Sequence, residues 1–436
     1  MIEDTIVAIA TPPGKAGVAI VRISGNKSEE ILKGITKTSD SLVSRHMYLK
    51  SVYLDGFVDN ALVVYFKAPN SYTGEDVGEI QCHGGYFVAE EVLKKVLTLG
   101  ARLAEPGEFS KRAFLNGKLS IDQAEGIMDI INAETKAQAS VGSKLIKGKL
   151  FDKINNIQNK LTDAIAEVEA KLDYPEYDFD EMEESSLKDN LSSIKQDLET
   201  LINSNIKGSK IKNGVKVAIV GRPNVGKSSL LNALTNSEKA IVTDIAGTTR
   251  DIIEGEYVFN GILFRLFDTA GIHESEDIVE KIGIERAKDS IKSADIVLKL
   301  QEVGENFEID SFDKPVINVF TKLDLHKIEV ENVENGIYIS SKNHTNIQEL
   351  KEQIFDKTMQ DGYDSSQIYL TNTRHVESLK EALNALKRAI ESLENTTLDF
   401  VVSDLNICWH KIGEITGQTS NEEIIDRIFK KFCLGK

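Results

Sequence analysis

Hydrophobic and polar positions follow three different rules along this chain. Over residues 1–118 apolar residues cluster in short runs, Thr5–Ala10, Val18–Ile23 and Asn60–Phe66. The turn signals Pro12-Pro13-Gly14 and Pro69-Asn70 bound them, so they read as strands. Phe87–Leu99 has the apolar spacing of a helix. From 119 to 210 the period becomes helical. Ile121, Ala124, Ile127, Met128 and Ile131 form one stripe, and Ile154, Ile157, Leu161, Ile165, Val168 and Leu172 form another. An acidic stretch, Asp173–Glu184, contains Pro175 and interrupts the pattern. It reads as a solvated loop, with a metal site as the alternative. Leu187–Ile206 resumes as a long helix, and the Gly/Ser/Lys-rich residues Lys207–Gly214 read as a linker.

From about 214 to 371 strand-like and helix-like patterns alternate, as in a mainly parallel, doubly wound sheet. Val376–Leu393 and Glu422–Phe432 are helical again. The expected fold is therefore a multidomain mixture of α/β and α+β. An N-terminal α+β domain covers residues 1–118. A discontinuous all-helical domain covers 119–213 and 372–436, and a doubly wound α/β domain over 214–371 is inserted into it. A domain hung on two helices of another can pass a change of state on as a rigid-body motion.

The inserted domain carries the chemistry. Gly221-Arg-Pro-Asn-Val-Gly-Lys-Ser-Ser229 follows the apolar run Val215–Val220 and precedes a helix start, which is the strand–GxxxxGK[ST]–helix arrangement of a phosphate-binding P-loop. Glycines let the backbone wrap a phosphate, Lys227 reaches the β/γ-phosphates, Ser228 can hold Mg²⁺, and the helix dipole favours the same anion. Four further segments follow in the order a GTPase requires. Gly247-Thr-Thr-Arg-Asp251 has the position of a switch loop, where a threonine can complete the Mg²⁺ shell. Asp268-Thr269-Ala270-Gly271 ends the run Ile262–Phe267, with an aspartate suited to a water-mediated hold on Mg²⁺ and a glycine suited to the γ-phosphate. Thr321-Lys322-Leu-Asp324 ends the run Val316–Phe320, and its carboxylate can accept both N–H groups of guanine, a donor pair that adenine lacks. Ser340-Ser341-Lys342 ends the strand Gly336–Ile339 and can touch the base through backbone N–H. The usual base motif is Asn-Lys-x-Asp. Here Thr321 stands for the asparagine, and guanine specificity is expected to survive on Asp324. After Gly271, where related enzymes place a water-orienting glutamine, stand Ile272 and His273. Candidates for that task are His273 and, in the helix-like stretch Ser275–Ser290, Glu276, Asp277 and Glu280. A solvated helix face is the plainer reading of those carboxylates.

Composition narrows the setting. The 436 residues suit two or three domains, and 41% apolar content suffices for real cores. A net charge of −17 excludes a generally basic nucleic-acid coat, so any RNA contact needs a local basic patch or a partner. Cys82, Cys408 and Cys433 lie far apart without a CxxC, which excludes a disulfide framework and a structural zinc site. No run of eighteen apolar residues or signal-peptide pattern occurs. The expectation is a cytoplasmic protein with no membrane association.

With Ala246-Gly-Thr-Thr-Arg-Asp251, Asp268-Thr-Ala-Gly271 and Glu280-Lys-Ile-Gly-Ile-Glu-Arg-Ala287 behind the P-loop, the chain resembles the MnmE (TrmE) family of tRNA-modifying GTPases. The likeness extends to Asp4-Thr-Ile-Val-Ala-Ile-Ala-Thr-Pro-Pro-Gly14, Val21-Arg-Ile-Ser-Gly25, Tyr72-Thr-Gly-Glu-Asp76, Cys82-His-Gly-Gly85, Glu105-Pro-Gly-Glu-Phe109, Ala113-Phe-Leu-Asn-Gly-Lys118 and the final Phe432-Cys-Leu-Gly-Lys436. The resemblance implies a homodimer formed through the N-terminal domain, a tetrahydrofolate one-carbon donor (5-formyl- or methylenetetrahydrofolate), and an FAD-dependent MnmG-type partner. Together they would add an aminomethyl or carboxymethylaminomethyl group to C5 of the wobble uridine, position 34, of certain tRNAs.

By motif position the resemblance implies that Arg22, Glu79 and Lys118 line the folate site, with Lys436 approaching it. It implies GTP contacts from Asn224, Val225, Gly226, Lys227, Ser228 and Ser229 and from Thr243, Asp244, Ile245, Ala246, Gly247, Thr248 and Thr249. It further implies potassium-assisted hydrolysis. Asn224 would hold K⁺ with oxygens from Thr243, Ile245 and Thr248, Thr249 would join Ser228 on Mg²⁺, and Glu280 would hold the water network, the G domains pairing face to face on GTP. Cys433 is left between a chemical role near the folate and a small apolar packing role. A ribosome-assembly GTPase that binds rRNA, or a purely regulatory GTPase, is the rival without one-carbon chemistry. The acidic charge and helical flanks argue against the first, and folate binding separates the leading reading from both.

Overall fold

The computed structural model describes residues 4–173, 181–235, 253–268, 291–305, 313–326, 336–359, 362–395 and 398–435. The N-terminal elements are β1 (Ile6–Ile9), β2 (Val18–Ser24), α1 (Ser28–Thr36), β3 (Met47–Tyr53), β4 (Val58–Phe66), β5 (Val77–His83), α2 (Tyr86–Thr98), β6 (Arg102–Leu103) and α3 (Glu108–Leu115). Then come α4 (Ile121–Ile131), α5 (Lys136–Ile146), α6 (Lys149–Asp173) and α7 (Glu181–Asn213). The α/β part holds β7 (Val215–Gly221), α8 (Lys227–Thr235), β8 (Gly255–Phe259), β9 (Ile262–Asp268), β10 (Ile296–Glu302), β11 (Val316–Thr321), β12 (Gly336–Tyr338) and α9 (Ile347–Thr358). Helices α10 (Thr373–Asn395), α11 (Leu398–Thr416) and α12 (Glu422–Phe429) complete the described chain. By contact density it divides into two compact units. One comprises residues 1–128, 145–195 and 378–436, and the other 129–144 and 196–377.

In the first unit a six-stranded sheet runs in the order β3-β4-β5-β2-β1-β6, antiparallel except for β1 beside β6. Strand β4 alternates exposed and buried residues along most of its length, as a strand covered on one face should. Its inward residues Ala61, Val63 and Tyr65 join Ile31, Leu32, Ile35, Val92 and Val96 of the covering helices α1 and α2. Gly78 lies where a Cβ would come within 2.9 Å of Leu32 Cδ1, so a glycine is what lets α1 settle on β5. In α6 the residues Leu150, Ile154, Ile157, Leu161, Ala164 and Val168 are fully buried at helical spacing, and α6 packs along α11. The two helical segments that flank the α/β part in sequence thus meet, as the pattern predicted.

The same unit holds a charge network centred on a buried arginine, with Asp4 and Arg102 at its exposed rim. Arg112 on α3 is 1% exposed and bonds Glu108 (2.9 Å), Asp4 (2.7 Å) and Glu75 (3.2 Å), while Arg102 pairs with Glu108 and Asp4. Burial pushes the Glu108 carboxyl up, but the two guanidiniums outweigh it and hold it below the ordinary glutamate range. Removing one partner of such a network strands the others. Arg112→Met, which keeps most of the volume, is expected to cost about 3–5 kcal/mol, read as a lower urea midpoint. An unchanged midpoint would mean that the carboxylates re-pair elsewhere at no cost.

In the second unit the sheet order is β12-β11-β10-β7-β9-β8, parallel throughout except for the β8–β9 hairpin. This is the doubly wound sheet the alternation predicted. Its central strand β7 is buried on both faces, with Val215, Val217, Ala218 and Ile219 all at 0% exposure. The predicted linker Lys207–Gly214 is a correction. Helix α7 continues through it to Asn213. Gly208, which argued for a break, faces the 370 segment so closely that a Cβ would lie 2.0 Å from Leu370 O. Asn205 Nδ2 donates to that same carbonyl at 2.9 Å. The glycine serves a close backbone approach, and the tertiary contact overrides its helix propensity. The acidic stretch 173–184 lies largely outside the described residues. Of it, Asp173 closes α6, and Glu181 onward already belongs to α7.

Candidate functional site: a nucleotide-binding sheet edge

Strand β7 ends at Gly221, whose Cβ, if present, would sit 2.7 Å from Leu300 O, so the glycine lets the chain leave the sheet beside β10. The backbone then reverses through Asn224 (φ 62°) and Gly226 (φ 103°) into α8. Left-handed residues in such a turn direct successive N–H groups into one concavity, and the α8 N-terminus adds its dipole. Val225 plugs the loop into the core at 2% exposure. Lys227 is 7% exposed, and its Nζ donates to Gly221 O and Arg222 O, both at 2.9 Å. Asn224, Ser228 and Ser229 are exposed at the rim. Ser228, an oxygen donor in the first turn of α8 beside Lys227, fits a Mg²⁺ that also takes phosphate oxygens.

Neighbouring strand ends supply the rest. Asp268 ends β9, paired in register with Ile219 of β7. The end of β11 is locked to the P-loop, with Thr321 Oγ1 donating to Val225 O at 2.7 Å. The backbone then turns through Lys322 (φ 60°), whose ammonium pairs with Glu302, to Asp324. Leu323 N donates to Ile339 O at 3.0 Å, which brings the β12 end alongside. Ser340, 1% exposed, donates its hydroxyl to Asp324 Oδ1 at 2.8 Å. That bond, aided by the Lys342 charge, holds the exposed Asp324 carboxyl below the ordinary aspartate range. Ser341 is half-buried beside it. The structure thus gathers Asn224 through Ser229, Thr321, Lys322, Asp324 and Ser340 through Lys342 at the carboxyl ends of parallel strands, where doubly wound sheets bind ligands. Thr243 through Thr249, Thr269, Ala270, Gly271, His273, Glu276, Asp277 and Glu280 lie outside the described residues.

A model described as the MnmE helical domain matches residues 121–433, and one described as the GTP-binding protein TrmE N-terminus matches residues 5–118. The chain belongs to the MnmE family. It is 40% identical over 457 residues to the tRNA modification GTPase MnmE of Clostridioides difficile strain 630, covering 100% of both chains. To the same-named protein of Bacillus subtilis strain 168 it is 41% identical over 459 residues, covering 99% of this chain and 100% of that one. Among solved structures it is similar to the G domain of the Thermotoga maritima FeoB iron transporter, at 29% identity and a TM-score of 0.25, covering 33% of this chain and 98% of that one.

In this MnmE-family chain two of the N-terminal candidates lie on the first sheet. Arg22 on β2 and Glu79 on β5 stand opposite one another in register and pair at 2.9 Å, both half-buried. Arg22 also donates to Gly435 O at 3.3 Å and lies over the rings of Tyr72 (5.5 Å) and Phe109 (5.9 Å). The last described residues are drawn in tightly. A Cβ on Gly435 would meet Ile9 O at 2.7 Å, and Gly107 N donates to Cys433 O at 3.4 Å. Lys118 is exposed and donates to Pro69 O at 2.9 Å. Lys436 lies outside the described residues. Cys433 is exposed, so its small-apolar-packing reading loses its basis, whereas Cys82 and Cys408 are buried, and burial raises their thiols to about 11 and about 12.

Sequence reasoning missed three features of these sites. The Thr321 tie, the Ser340 buttress and the Glu75–Arg112–Glu108 network each join residues from different segments. Glu75 and Glu108 did lie within the family-like stretches Tyr72–Asp76 and Glu105–Phe109, which was the available signal. No helix among the described residues is long and apolar enough to cross a membrane.

Proposed function

We propose that this chain is a potassium-dependent GTPase that works with an FAD-dependent MnmG-type partner. Together they add an aminomethyl or carboxymethylaminomethyl group to C5 of the wobble uridine of certain tRNAs, drawing the carbon from 5-formyl- or methylenetetrahydrofolate. The observation that carries the reading is full-length kinship with proteins named tRNA modification GTPases, in a chain whose phosphate loop and Asp324–Ser340 pair share one sheet edge. In this reading Lys227 and the loop N–H groups bind the β/γ-phosphates, Ser228 and Thr249 hold Mg²⁺, and Asp324 reads guanine. The exposed Asn224, with Thr243, Ile245 and Thr248, holds K⁺ where charge develops in the transition state, and Glu280 orders the water. The Glu79 carboxylate, oriented by Arg22, suits the pterin N–H groups of a folate, and the glutamyl tail at the far end of that molecule calls for a lysine such as Lys118 or Lys436. When bound, that folate supplies the one-carbon unit. A homodimer through the N-terminal domain belongs to the same reading, as does the division into 1–118, 119–213 with 372–436, and 214–371.

Mass spectrometry of tRNA nucleosides from cells lacking the protein tests it. C5-aminomethyl-type wobble uridines should vanish and return with the intact gene but not with Lys227→Ala. An unchanged nucleoside profile would favour a ribosome-assembly or regulatory GTPase. The potassium assignment has its own test. Asn224→Ala should lower GTP turnover in KCl by roughly 10- to 100-fold, to its NaCl level, while GTP affinity holds. A persisting potassium response would move the cation elsewhere.

A further inference from the structure

A chain with a net charge of −17 repels a polyanion over most of its surface, so a place where cations gather without counter-charges stands out. From Arg427 to Lys436 the sequence carries Arg427, Lys430, Lys431 and Lys436 and no carboxylate. Helix α12 holds the first of these in a fixed frame. Its Ile425 and Phe429 are buried with Phe432 against Ile121 and Ala124. A Cβ on Gly107 would come within 2.2 Å of Phe429 O, so the end of α12 lies flush against the start of α3. Arg427, Lys430 and Lys431 remain exposed.

Neighbouring charges decide which cations are spent. Between α3 and α12 a groove of about 220 Å³ is lined by Arg102, Lys111 and Lys430 together with Glu105, Glu108 and Asp426. There Glu108 is taken by Arg102 and Arg112, and Asp426 by Lys111 at 2.6 Å. Beside that nearly neutral groove, a depression of about 470 Å³ is lined by Glu423, Asp426, Arg427, Lys430 and Lys431. With Asp426 held by Lys111, Glu423 is the remaining carboxylate beside three cations. The side chains of those three form no ion pair or hydrogen bond among the described residues.

The position of this surface gives it a use. The chain runs from Lys431 through the exposed Cys433 to Gly435, whose carbonyl accepts from Arg22 Nη1 at 3.3 Å. Four residues of chain span at most about 14 Å, which bounds the distance from Lys431 to Gly435. An anionic membrane calls for a larger basic cluster, about four to eight Lys and Arg. An RNA loop is held by its phosphates while its bases splay out to be reached. We propose that Arg427, Lys430 and Lys431 grip phosphates of the tRNA anticodon loop and so present the wobble uridine to the Arg22–Glu79 site beyond Gly435. The proposal rests on the tRNA-modification reading above.

The test titrates the full-length protein with an anticodon stem-loop RNA carrying uridine at the wobble position, by fluorescence anisotropy over a range of KCl concentrations. The triple variant Arg427→Gln/Lys430→Gln/Lys431→Gln should bind roughly 10- to 100-fold more weakly near 0.1 M salt, and the slope of log affinity against log salt should shrink by about 2 to 3. Lys430→Arg/Lys431→Arg keeps the charge and should stay within about 3-fold of the unaltered protein. A stem-loop with cytidine at the wobble position should suffer the same loss in the triple variant, because phosphate contacts carry no sequence. An unchanged slope in the triple variant would overturn the proposal and leave the surface to an acidic protein or an anionic membrane. So would a loss confined to the uridine RNA, since base reading would then be the role. Either result, with RNA binding by the unaltered protein intact, removes the phosphate grip alone. Absence of RNA binding by the unaltered protein removes the tRNA reading as well.

Discussion

Lys227→Ala should reduce GTP turnover by roughly 10²-fold or more and weaken GTP binding markedly, measured by phosphate release and by fluorescent-nucleotide titration. The expectation follows from where the ammonium sits. It is 7% exposed at the start of α8, held by Gly221 O and Arg222 O at the centre of the loop. A charge that is preorganised and shielded from water acts on a phosphate with far more force than an exposed one. The fold should tolerate the change, because the core beneath the loop rests on Val225 and Leu230, which are buried independently of the ammonium. Lys227→Arg should not rescue it, since a planar guanidinium cannot occupy the position of a compact ammonium between two carbonyls. Normal turnover in Lys227→Ala would overturn the P-loop assignment.

Asp324→Asn should exchange the base preference from guanine to xanthine. The carboxylate offers two acceptors, matching the N1–H and 2-amino donors of guanine. An asparagine offers one acceptor and one donor, matching the N1–H and C2 carbonyl of xanthine. Losing a charge-assisted pair and gaining a mismatch should weaken GTP binding by roughly 10²-fold. Competition of GTP and XTP for the variant reads this out, and retained GTP preference would place base recognition elsewhere. The Ser340 bond adds a pH signature. It lowers the Asp324 pKa, so the acceptor pair persists above the depressed value and is lost as pH falls through it. Ser340→Ala removes the largest cause of the depression. Guanine binding should then fail at a higher pH than in the unaltered protein, within the acid range below about pH 5.

Several elements were hidden from sequence reading for identifiable reasons. Helix α11 contains Val401, Val402, Ile407, Trp409, Ile412 and Ile415, a β-branched and aromatic content that speaks against helix, yet its stripe packs on α6 and the packing decides. Strand β3 sits at the sheet edge with Met47 and Leu49 exposed, so its pattern does not alternate cleanly. Strand β5 carries a glycine at 78, which weakens any local strand pattern, because a side chain there would collide with Leu32.

The sequence by itself determined the phosphate loop, the class of each sheet and the family, because each depends on residues adjacent in the chain. A strand, a glycine-rich turn and a helix start need no distant partner to be read, and a run of buried apolar residues marks a central parallel strand wherever it falls. The tertiary structure alone decided which distant residues complete the sites. Thr321 meets Val225 across 96 positions because β10 carries β11 to the side of β7. Arg22 meets Gly435 across 413 positions because the close approach at Ile9 draws the last residues to the first sheet. Such pairings depend on strand order, register and the fit of backbone against backbone. No local pattern encodes them, since the free energy that selects them is shared by the whole core.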